Sequence, residues 1–279
     1  GEGTIAIPGN SRKVITVGAV KTEKEIENIK AAQSITDAAF THILDYIDSN
    51  KSEREIALEL EFFMRKQGAE KIIKTLIDFY PDAKCSLDFE TPFQILVAVV
   101  LSAQCTDERV NKTTPAIFSK YPDAIDFVNM PIETLQELIH PCGFYKTKSK
   151  NLKLAAEKIA NNFGGKVPET MEELMSIPGV GRKSANVIML EAFNKPQGIA
   201  VDTHAKRISN RIGFSSESEP TKIEQDLLKL ISNKYYKDVN HVLVWHGRNI
   251  CTAAKPKCSI CPVKNCCNFF KESVSKNLT

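Results

Sequence analysis

The chain has 279 residues and a mass of 31.1 kDa, which allows two domains or a few small ones. Hydrophobic residues make up 42% and charged residues 25%, values of a folded protein that exclude a wholly disordered chain. No apolar run reaches the roughly 18 residues of a membrane span, and the N-terminus lacks a signal-peptide pattern. Five of the eight cysteines fall between 251 and 267, which predicts a metal site in a reducing compartment.

The net charge of +3 is unevenly distributed along the chain. Residues 1–70 hold nine basic and twelve acidic side chains, whereas residues 71–279 hold 28 and 22. The basic surplus therefore belongs to the last three quarters of the chain. A surplus of this size fits nucleic-acid binding if the lysines share one face of the protein.

The first predicted elements are a short irregular piece and a long helix. Within residues 1–20, a turn is predicted at 5–10 and a β-branched strand at 14–17, with no further strand nearby to form a sheet. From Thr22 to Ile47, apolar residues then recur with the period of an amphipathic helix. This part of the chain is predicted to be an irregular or β-like segment followed by helical structure.

Helices are predicted almost continuously from there to residue 248. Ser52 and Glu55 form a capping box for a helix that we expect to end at Gly68. The other predicted helices cover 72–80, 92–100, a segment capped by Asp107, 131–140, 147–162, 171–176, 182–193, 203–211, 220–232 and 238–248. The tail is predicted to be rich in loops and unable to bury a core of its own.

Four cysteines of the tail have spacings that suit a metal centre. Cys251, Cys258, Cys261 and Cys267 provide four thiolates within seventeen residues, a set that suits either a cubane iron–sulfur cluster or zinc. Zinc usually takes two short Cys-x2–4-Cys pairs, and only one is present. Four unrelated buried thiols are the alternative, which the clustering disfavours. Spacing alone leaves the part of Cys266 open.

The segment Ile177-Pro178-Gly179-Val180-Gly181-Arg182-Lys183 is predicted to connect two helices. Two glycines at the start of a helix leave backbone N–H groups open to a DNA phosphate, although an ordinary helix connection would look the same. Lys183 falls in the first helical turn, where the macrodipole disfavours a cation. It is therefore either a phosphate contact, a nucleophilic amine that forms a Schiff base, or an ordinary surface charge.

Asp202 follows a short apolar run and precedes a predicted helix. An ordinary helix N-cap is one interpretation of this position. A carboxylate held rigid at a helix start could also stabilise positive charge at a sugar C1′ or assist a nucleophile. The residues by themselves leave both possibilities open.

The loop from Gly143 to Asn151 combines two aromatic residues with alternate lysines. An apolar side chain could enter a base stack while the lysines at 146, 148 and 150 contact phosphates. A solvated helix start after a C-cap glycine is an equally good interpretation. Cys85, Cys105 and Cys142 are isolated and are predicted to be small core residues.

Together these segments resemble the endonuclease III family of the helix–hairpin–helix DNA glycosylase superfamily, from about Lys71 to Lys271. The resemblance covers about three quarters of the chain. It is carried by Leu101-Ser102-Ala103-Gln104-Cys105-Thr106-Asp107, Gly143-Phe144-Tyr145, Pro178-Gly179-Val180-Gly181-Arg182-Lys183, Val201-Asp202-Thr203-His204 and the four cysteines.

The resemblance implies an all-α fold in which two lobes flank a DNA-binding cleft. A six-helix barrel with the hairpin would cover 85–196, and an iron–sulfur domain would combine 71–84 with 197–279. Lys183 and Asp202 would be the catalytic lysine and aspartate, and Cys251, Cys258, Cys261 and Cys267 would bind a [4Fe–4S] cluster. The DNA-binding residues would be Gln104, Phe144, Lys146, Pro178, Gly179, Val180, Gly181, Arg182, His204, Lys255 and Lys257.

The activity implied is that of a base-excision repair enzyme, a bifunctional glycosylase that removes oxidised pyrimidines. It would then cleave the abasic site by β-elimination through a lysine Schiff base. Double-stranded DNA would be the partner of a monomer in the cytoplasm, with the nucleoid. The alternatives are a thymine- or adenine-mismatch glycosylase of the same superfamily and a non-catalytic, redox-sensing iron–sulfur protein that binds DNA. Retention of both Lys183 and Asp202 argues against the last of these.

The first 70 residues do not belong to that family. Residues 21–69 resemble the linker and first helices of aminopeptidase-P-type metallopeptidases, upstream of any metal ligands. Residues 1–20 weakly resemble an interior fragment of a subtilisin-like protease and contain no triad. Because neither piece carries a complete active site, we expect both to be inert appendages.

Overall fold

A computed structural model describes residues 3–5, 15–17 and 20–276. The chain divides into two compact units, Gly1–Gly68 and Ala69–Thr279. Within the described residues, every helix is too short or too polar to cross a membrane. The predicted all-α class is confirmed, because helices account for nearly all of the regular structure in this part of the chain.

The described residues contain a pair of short strands and thirteen α-helices. In chain order they are β1 (Gly3–Ile5), β2 (Ile15–Val17), α1 (Glu23–Tyr46), α2 (Glu53–Phe79), α3 (Pro92–Ser102), α4 (Asp107–Phe118), α5 (Ala124–Asn129), α6 (Ile132–Ile139), α7 (Tyr145–Asn162), α8 (Met171–Met175), α9 (Arg182–Phe193), α10 (Thr203–Ile212), α11 (Pro220–Leu230), α12 (Tyr236–Asn249) and α13 (Asn268–Lys276). Short 3₁₀ turns lie at His140–Cys142, Asn233–Tyr235, Cys258–Ile260 and Lys264–Cys266.

The first unit begins with an antiparallel strand pair. β1 pairs with β2 with Thr4 opposite Thr16. The predicted strand at 14–17 is therefore present from residue 15, and its partner strand was not predicted. Most of the turn predicted at 5–10 lies outside the described residues. In α1, Thr22 and Glu25 form the N-terminal capping box, which satisfies backbone N–H groups at the start of the helix.

α2 does not end at Gly68, and the prediction of two separate helices there is wrong. Ser52 and Glu55 form the predicted capping box at its start. The helix then continues to Phe79, because a glycine inside a helix costs only about 1 kcal/mol relative to alanine. Beyond Gly68, burial of Ile73 and Leu76 stabilises the continuation.

One core of the second unit is built around α3. Thr91 caps this helix and Pro92 occupies its first position, while every residue from Ile95 to Leu101 is buried. The surrounding cluster draws its buried residues from Leu87 to Met189. The short α5 in this region was not predicted, because six residues are too few to show a helical period.

A second core of the same unit combines two distant parts of the sequence. Its buried residues come from 69–76 of α2 and from 199–263. The predicted limits of the two lobes remain predictions, since a cluster of buried side chains does not mark where a lobe begins or ends.

The helix α13 was not predicted. It follows the cysteine-rich loop and packs against α10.

The N-cap of α4 is Thr106, not Asp107 as predicted. The Thr106 side chain accepts a hydrogen bond from the backbone N–H of Arg109. Asp107 lies in the first turn and forms an ion pair with Arg248 of α12, 2.6 Å from Oδ2 to Nη2. The carboxylate thus joins two helices that are distant in sequence instead of capping its own.

Candidate active site and cysteine cluster

The hairpin between α8 and α9 leads directly into the N-terminus of α9. Ile177 and Val180 are buried and anchor the turn, and Gly179 adopts a φ of +85°, which favours glycine. Gly181 is the N-cap of α9, and no side chain of the described residues caps the helix. The first backbone N–H groups of α9 are therefore available to an anion.

Lys183 lies in the first turn of α9 and is exposed. Among the described residues, none forms a hydrogen bond or ion pair with its ammonium. The amine is therefore free to meet a substrate.

Asp202 is the N-cap of α10. Its Oδ1 accepts a hydrogen bond from the backbone N–H of Ala205 at 2.7 Å, and the residue is partly buried. The N-cap interpretation of this position is therefore correct. A cap also holds the carboxylate in one orientation, which a catalytic role would need.

Lys183 and Asp202 line one cavity of about 670 Å³ in the second unit. Gln104 and His204 line the same cavity, so four of the predicted site residues lie together. Residues of α3, α9, α10 and α12 contribute to its lining. Its size is in the range of sites that bind a small molecule or a single base.

Three groups in or beside this cavity were not predicted. The Nε2 of His241 lies 2.7 Å from the Oε1 of Glu191 in the cavity wall. Asn240 accepts a hydrogen bond from the N–H of Ala200 at 2.6 Å and donates to the carbonyl of Gly198, which holds the segment leading to Asp202. No sequence signal could have identified them, because their partners lie about 40 or 50 residues away.

Two cysteines predicted to be core residues also line this cavity. Cys85 and Cys105 are only partly buried, whereas Cys142 is buried as predicted. Burial, followed by the nearby charge of Glu191, raises the pKa of Cys85 to about 12. The Cys85 thiol therefore stays protonated near neutral pH and is a poor nucleophile.

Arg182 has a structural partner. Its Nε donates to the Oε2 of Glu224 at 2.6 Å, and the Nδ2 of Asn186 donates to Oε1 of the same carboxylate at 2.8 Å. Glu224 is 3% exposed, so these bonds compensate a buried charge between α9 and α11. The predicted contact between Arg182 and DNA remains a prediction.

Gln104 and Phe144 each lie in a tight turn with left-handed backbone. Their φ angles are +53° and +49°, and both side chains are exposed, Phe144 to 65%. Lys146 is also exposed. The prediction that Lys148 contacts phosphates is wrong, because its ammonium is buried against the protein's own backbone carbonyls.

The four predicted ligand cysteines surround one small cavity. Cys251, Cys258, Cys261 and Cys267 all line it, whereas Cys266 is exposed and does not. Arg211 donates from Nη1 to the Sγ of Cys251 at 3.3 Å. In the described residues, no group of three or more potential ligands is close enough to bind a single metal ion.

The environment of these thiols requires positive charge if they are to ionise. Burial, followed by smaller contributions from the neighbouring cysteines, raises the pKa of Cys261 to about 11. Burial raises the pKa of Cys267 in the same way. Lys255 and Lys257 lie exposed on the loop between Cys251 and Cys258.

Comparison with known proteins first defines the class. Residues 97–233 match the family model described as the HhH-GPD superfamily base excision DNA repair protein. That range includes the hairpin, Lys183 and Asp202. The fold is therefore that of a helix–hairpin–helix base-excision repair protein.

Relatives of known name then define the family. Endonuclease III of Synechocystis sp. is 47% identical over 203 residues, which cover 73% of this chain and 93% of the relative. Endonuclease III of Bacillus subtilis is 37% identical over 221 residues, 79% of this chain and 96% of the relative. The chain belongs to the endonuclease III family, and it is a DNA glycosylase and abasic-site lyase of base-excision repair.

Solved structures of the family agree with the fold described above. A non-covalent endonuclease III–DNA complex superimposes with a TM-score of 0.72 at 38% identity, covering 75% of this chain and 98% of that one. A trapped endonuclease III–DNA covalent intermediate matches equally well. The predicted family, fold class and enzyme class are confirmed.

Proposed function

We propose that this enzyme removes oxidised pyrimidines from double-stranded DNA and cleaves the strand through a Schiff base on Lys183. The observation that carries the proposal is the shared cavity. At the start of α9 is an amine that has no hydrogen-bond or ion-pair partner in the described part of the chain, and at the start of α10 is a fixed carboxylate. Both line the same 670 Å³ space. A base flipped out of the duplex would enter this space, because its C1′ cannot be reached inside the stack.

Each residue has a distinct part in the reaction. The free amine of Lys183 attacks C1′, and the damaged base leaves with the bonding electrons. The carboxylate of Asp202 stabilises the positive charge that develops on the sugar. The C1′–O4′ bond then breaks, O4′ takes a proton, and the iminium that forms between C1′ and the lysine nitrogen acidifies the C2′ proton. Loss of this proton expels the 3′ phosphate by β-elimination.

DNA binding would begin at the hairpin. The uncapped N–H groups of α9 suit one phosphate of the backbone, and such contacts position the duplex without reading its sequence. Solved relatives described as endonuclease III–DNA complexes support this partner. We propose that the enzyme acts as a monomer in the cytoplasm, with the nucleoid.

A [4Fe–4S] cluster is proposed at the cysteines. The donor set fits, because four thiols and only these four converge on one cavity among the described residues, with Cys266 outside it. The cluster would supply a structural cross-link and the positive charge that the buried thiols require. The chain's own Lys255 and Lys257 would then be held on a short loop facing DNA.

The nucleophile is tested by borohydride trapping on a duplex that contains thymine glycol. The parent enzyme should form a covalent adduct and release the base. Lys183→Gln should still bind this duplex but form no adduct, because the reacting amine is gone. Lys195→Gln is the matched control, since it removes an equal charge from an exposed residue paired with Glu169 and should trap normally.

Two outcomes of the same assay would contradict the proposal. An adduct with Lys183→Gln would identify another amine as the nucleophile. Faster release of thymine from a G·T mismatch, or of adenine from a mispair, than of thymine glycol would make the enzyme a mismatch glycosylase.

The cluster is tested by iron content. The purified protein should be brown and contain about four irons per chain. Cys258→Ser should lose iron and solubility, whereas Cys266→Ser should retain both, because only the first thiol lines the cavity. A colourless, zinc-loaded and fully active protein would refute this part of the proposal.

A further inference from the structure

Lys148 is a buried lysine whose ammonium binds backbone carbonyls. The residue is 5% exposed, and its Nζ donates to the carbonyl of Leu101 at 2.8 Å and to that of Cys142 at 2.9 Å. Burial lowers the pKa of this ammonium, which shows that its location is electrostatically unfavourable. An apolar side chain would fill such a location at less cost, so the bonds that Lys148 makes need an explanation.

The two carbonyls belong to the two turns that carry Gln104 and Phe144. Leu101 lies at the end of α3, three residues before Gln104. Cys142 ends a 3₁₀ turn, two residues before Phe144. Carbonyls at helix ends lack partners within the helix, and one ammonium with three donors can satisfy both at once. Lys148 therefore links, through hydrogen bonds, two turns that are far apart in the sequence.

Both turns have a backbone that needs external support. Gln104 and Phe144 are two of the three non-glycine residues with positive φ in the described part of the chain. Such conformations are uncommon for side chains other than glycine and persist only where the surrounding structure imposes them. A bond from Lys148 beside each turn provides this constraint.

We propose that Lys148 is a positioning residue that fixes the separation of Gln104 and Phe144, so that both side chains enter the DNA stack at one lesion. The inference rests on the proposed function and on the DNA contacts that the family resemblance implies for Gln104 and Phe144, whose exposed side chains would occupy the space left by the flipped nucleotide. Insertion must offset the cost of unstacking bases. Two turns held at a constant spacing lose less conformational freedom on insertion than two independent turns.

Lys153 offers a matched control within the same helix. It also lies in α7, and its Nζ donates to the carbonyls of Phe127, Val128 and Met130 at 2.9, 2.7 and 2.8 Å. These carbonyls belong to the end of α5, not to either inserting turn. The two lysines thus make the same kind of bond in the same lobe, and only Lys148 bonds next to Gln104 and Phe144.

The test compares Lys148→Met with Lys153→Met on a thymine-glycol duplex that carries 2-aminopurine opposite the lesion. The fluorescence of 2-aminopurine rises when it is unstacked, so it reports insertion directly. Lys148→Met should lose most of this rise and release the base roughly tenfold more slowly in a single turnover. It should still be trapped by borohydride at a pre-formed abasic site. Lys153→Met should retain the fluorescence rise even if its thermal stability falls by a similar amount.

A double-variant cycle separates positioning from general loosening. If Lys148 acts through Phe144, adding Lys148→Met to Phe144→Ala should slow base release little further. Additive effects, or a Lys148→Met protein that behaves like Lys153→Met, would overturn the inference. If Lys148→Met does not fold, Lys148→Gln is measured in the same assays, because its shorter amide can reach at most one of the carbonyls.

Failure of this inference differs from failure of the proposed function. In the first case, the parent enzyme traps and releases thymine glycol normally while Lys148→Met inserts normally. In the second case, the parent itself neither releases the base nor forms an adduct.

Discussion

The carboxylate of Asp202 has an observed structural role and a proposed electrostatic role, and a single substitution can separate the two. Its Oδ1 caps α10 through the N–H of Ala205. The same group lines the cavity shared with Lys183. Asparagine caps a helix about as well as aspartate but carries no charge. One substitution can therefore remove the proposed electrostatic task and leave the structural task in place.

Asp202→Asn should accordingly keep the stability of the parent and excise thymine glycol slowly. It should cleave a pre-formed abasic site better than it removes a base, since an open-chain aldehyde condenses with Lys183 without passing through a cationic sugar. Asp202→Ala should in addition lose about 1 kcal/mol of stability through the lost cap. Rates on both substrates and urea unfolding measure these effects. Equal slowing of both steps by Asp202→Asn would assign the residue to the fold alone.

At the scale of the element, the hairpin before α9 contains two glycines, and the structure favours glycine at each position for a different physical reason. Gly179 has a φ of +85°, and a Cβ there would lie 3.1 Å from the Cβ of Asn151. Gly181 has ordinary extended backbone and open space around it. The first glycine is required by the turn. The second leaves room for a ligand at the start of the helix.

The substitutions Gly179→Ala and Gly181→Asp should therefore fail in different ways. Gly179→Ala should lower the free energy of unfolding by about 1–2 kcal/mol, because alanine is strained at positive φ. Gly181→Asp should keep or raise stability, since aspartate is a good N-cap, but its charge should weaken binding to damaged and undamaged duplex alike. Thermal unfolding and DNA titration check the pair. Loss of lesion discrimination alone in Gly181→Asp would place the hairpin at the base rather than at a phosphate.

At the scale of the whole molecule, the boundary between the two units falls, in sequence, inside the single helix α2. α2 runs through Gly68, and its later residues Ile73 and Leu76 are fully buried in the second core. The Ser232 hydroxyl also donates to the carboxylate of Glu70. The last turns of α2 therefore belong to the repair enzyme, although the first unit ends at Gly68.

Removing residues 1–68 should leave glycosylase activity essentially intact. Removing residues 1–76 should abolish it, because deletion of a large core side chain such as Leu76 alone costs about 2–5 kcal/mol. Base release and circular dichroism of both truncated chains measure the difference. If the shorter deletion folds but loses activity, the first unit contributes to DNA binding and is not inert.

Much of the fold and of the site could be predicted from local patterns. The caps at Ser52 and Asp202 depend on residues within one helical turn of each other, and the spacing of the four cysteines is itself a local property. The motifs that resemble endonuclease III identify the family from the sequence alone, because they combine several such local features. Gly68 shows the limit of local patterns. This glycine predicts a helix end, but α2 continues through it because residues further along the helix are buried.

Only the tertiary structure decided which charged groups are exposed and which support the fold. Lys148 and Lys146 look alike in sequence, yet one is buried on carbonyls at Leu101 and Cys142 and the other is exposed. Likewise, Arg182 pairs with Glu224, 42 residues away. Helical periodicity tells which face of a helix is buried, but it does not tell which distant backbone group a long side chain will meet there. That is determined when the two cores of the second unit pack and place such partners side by side.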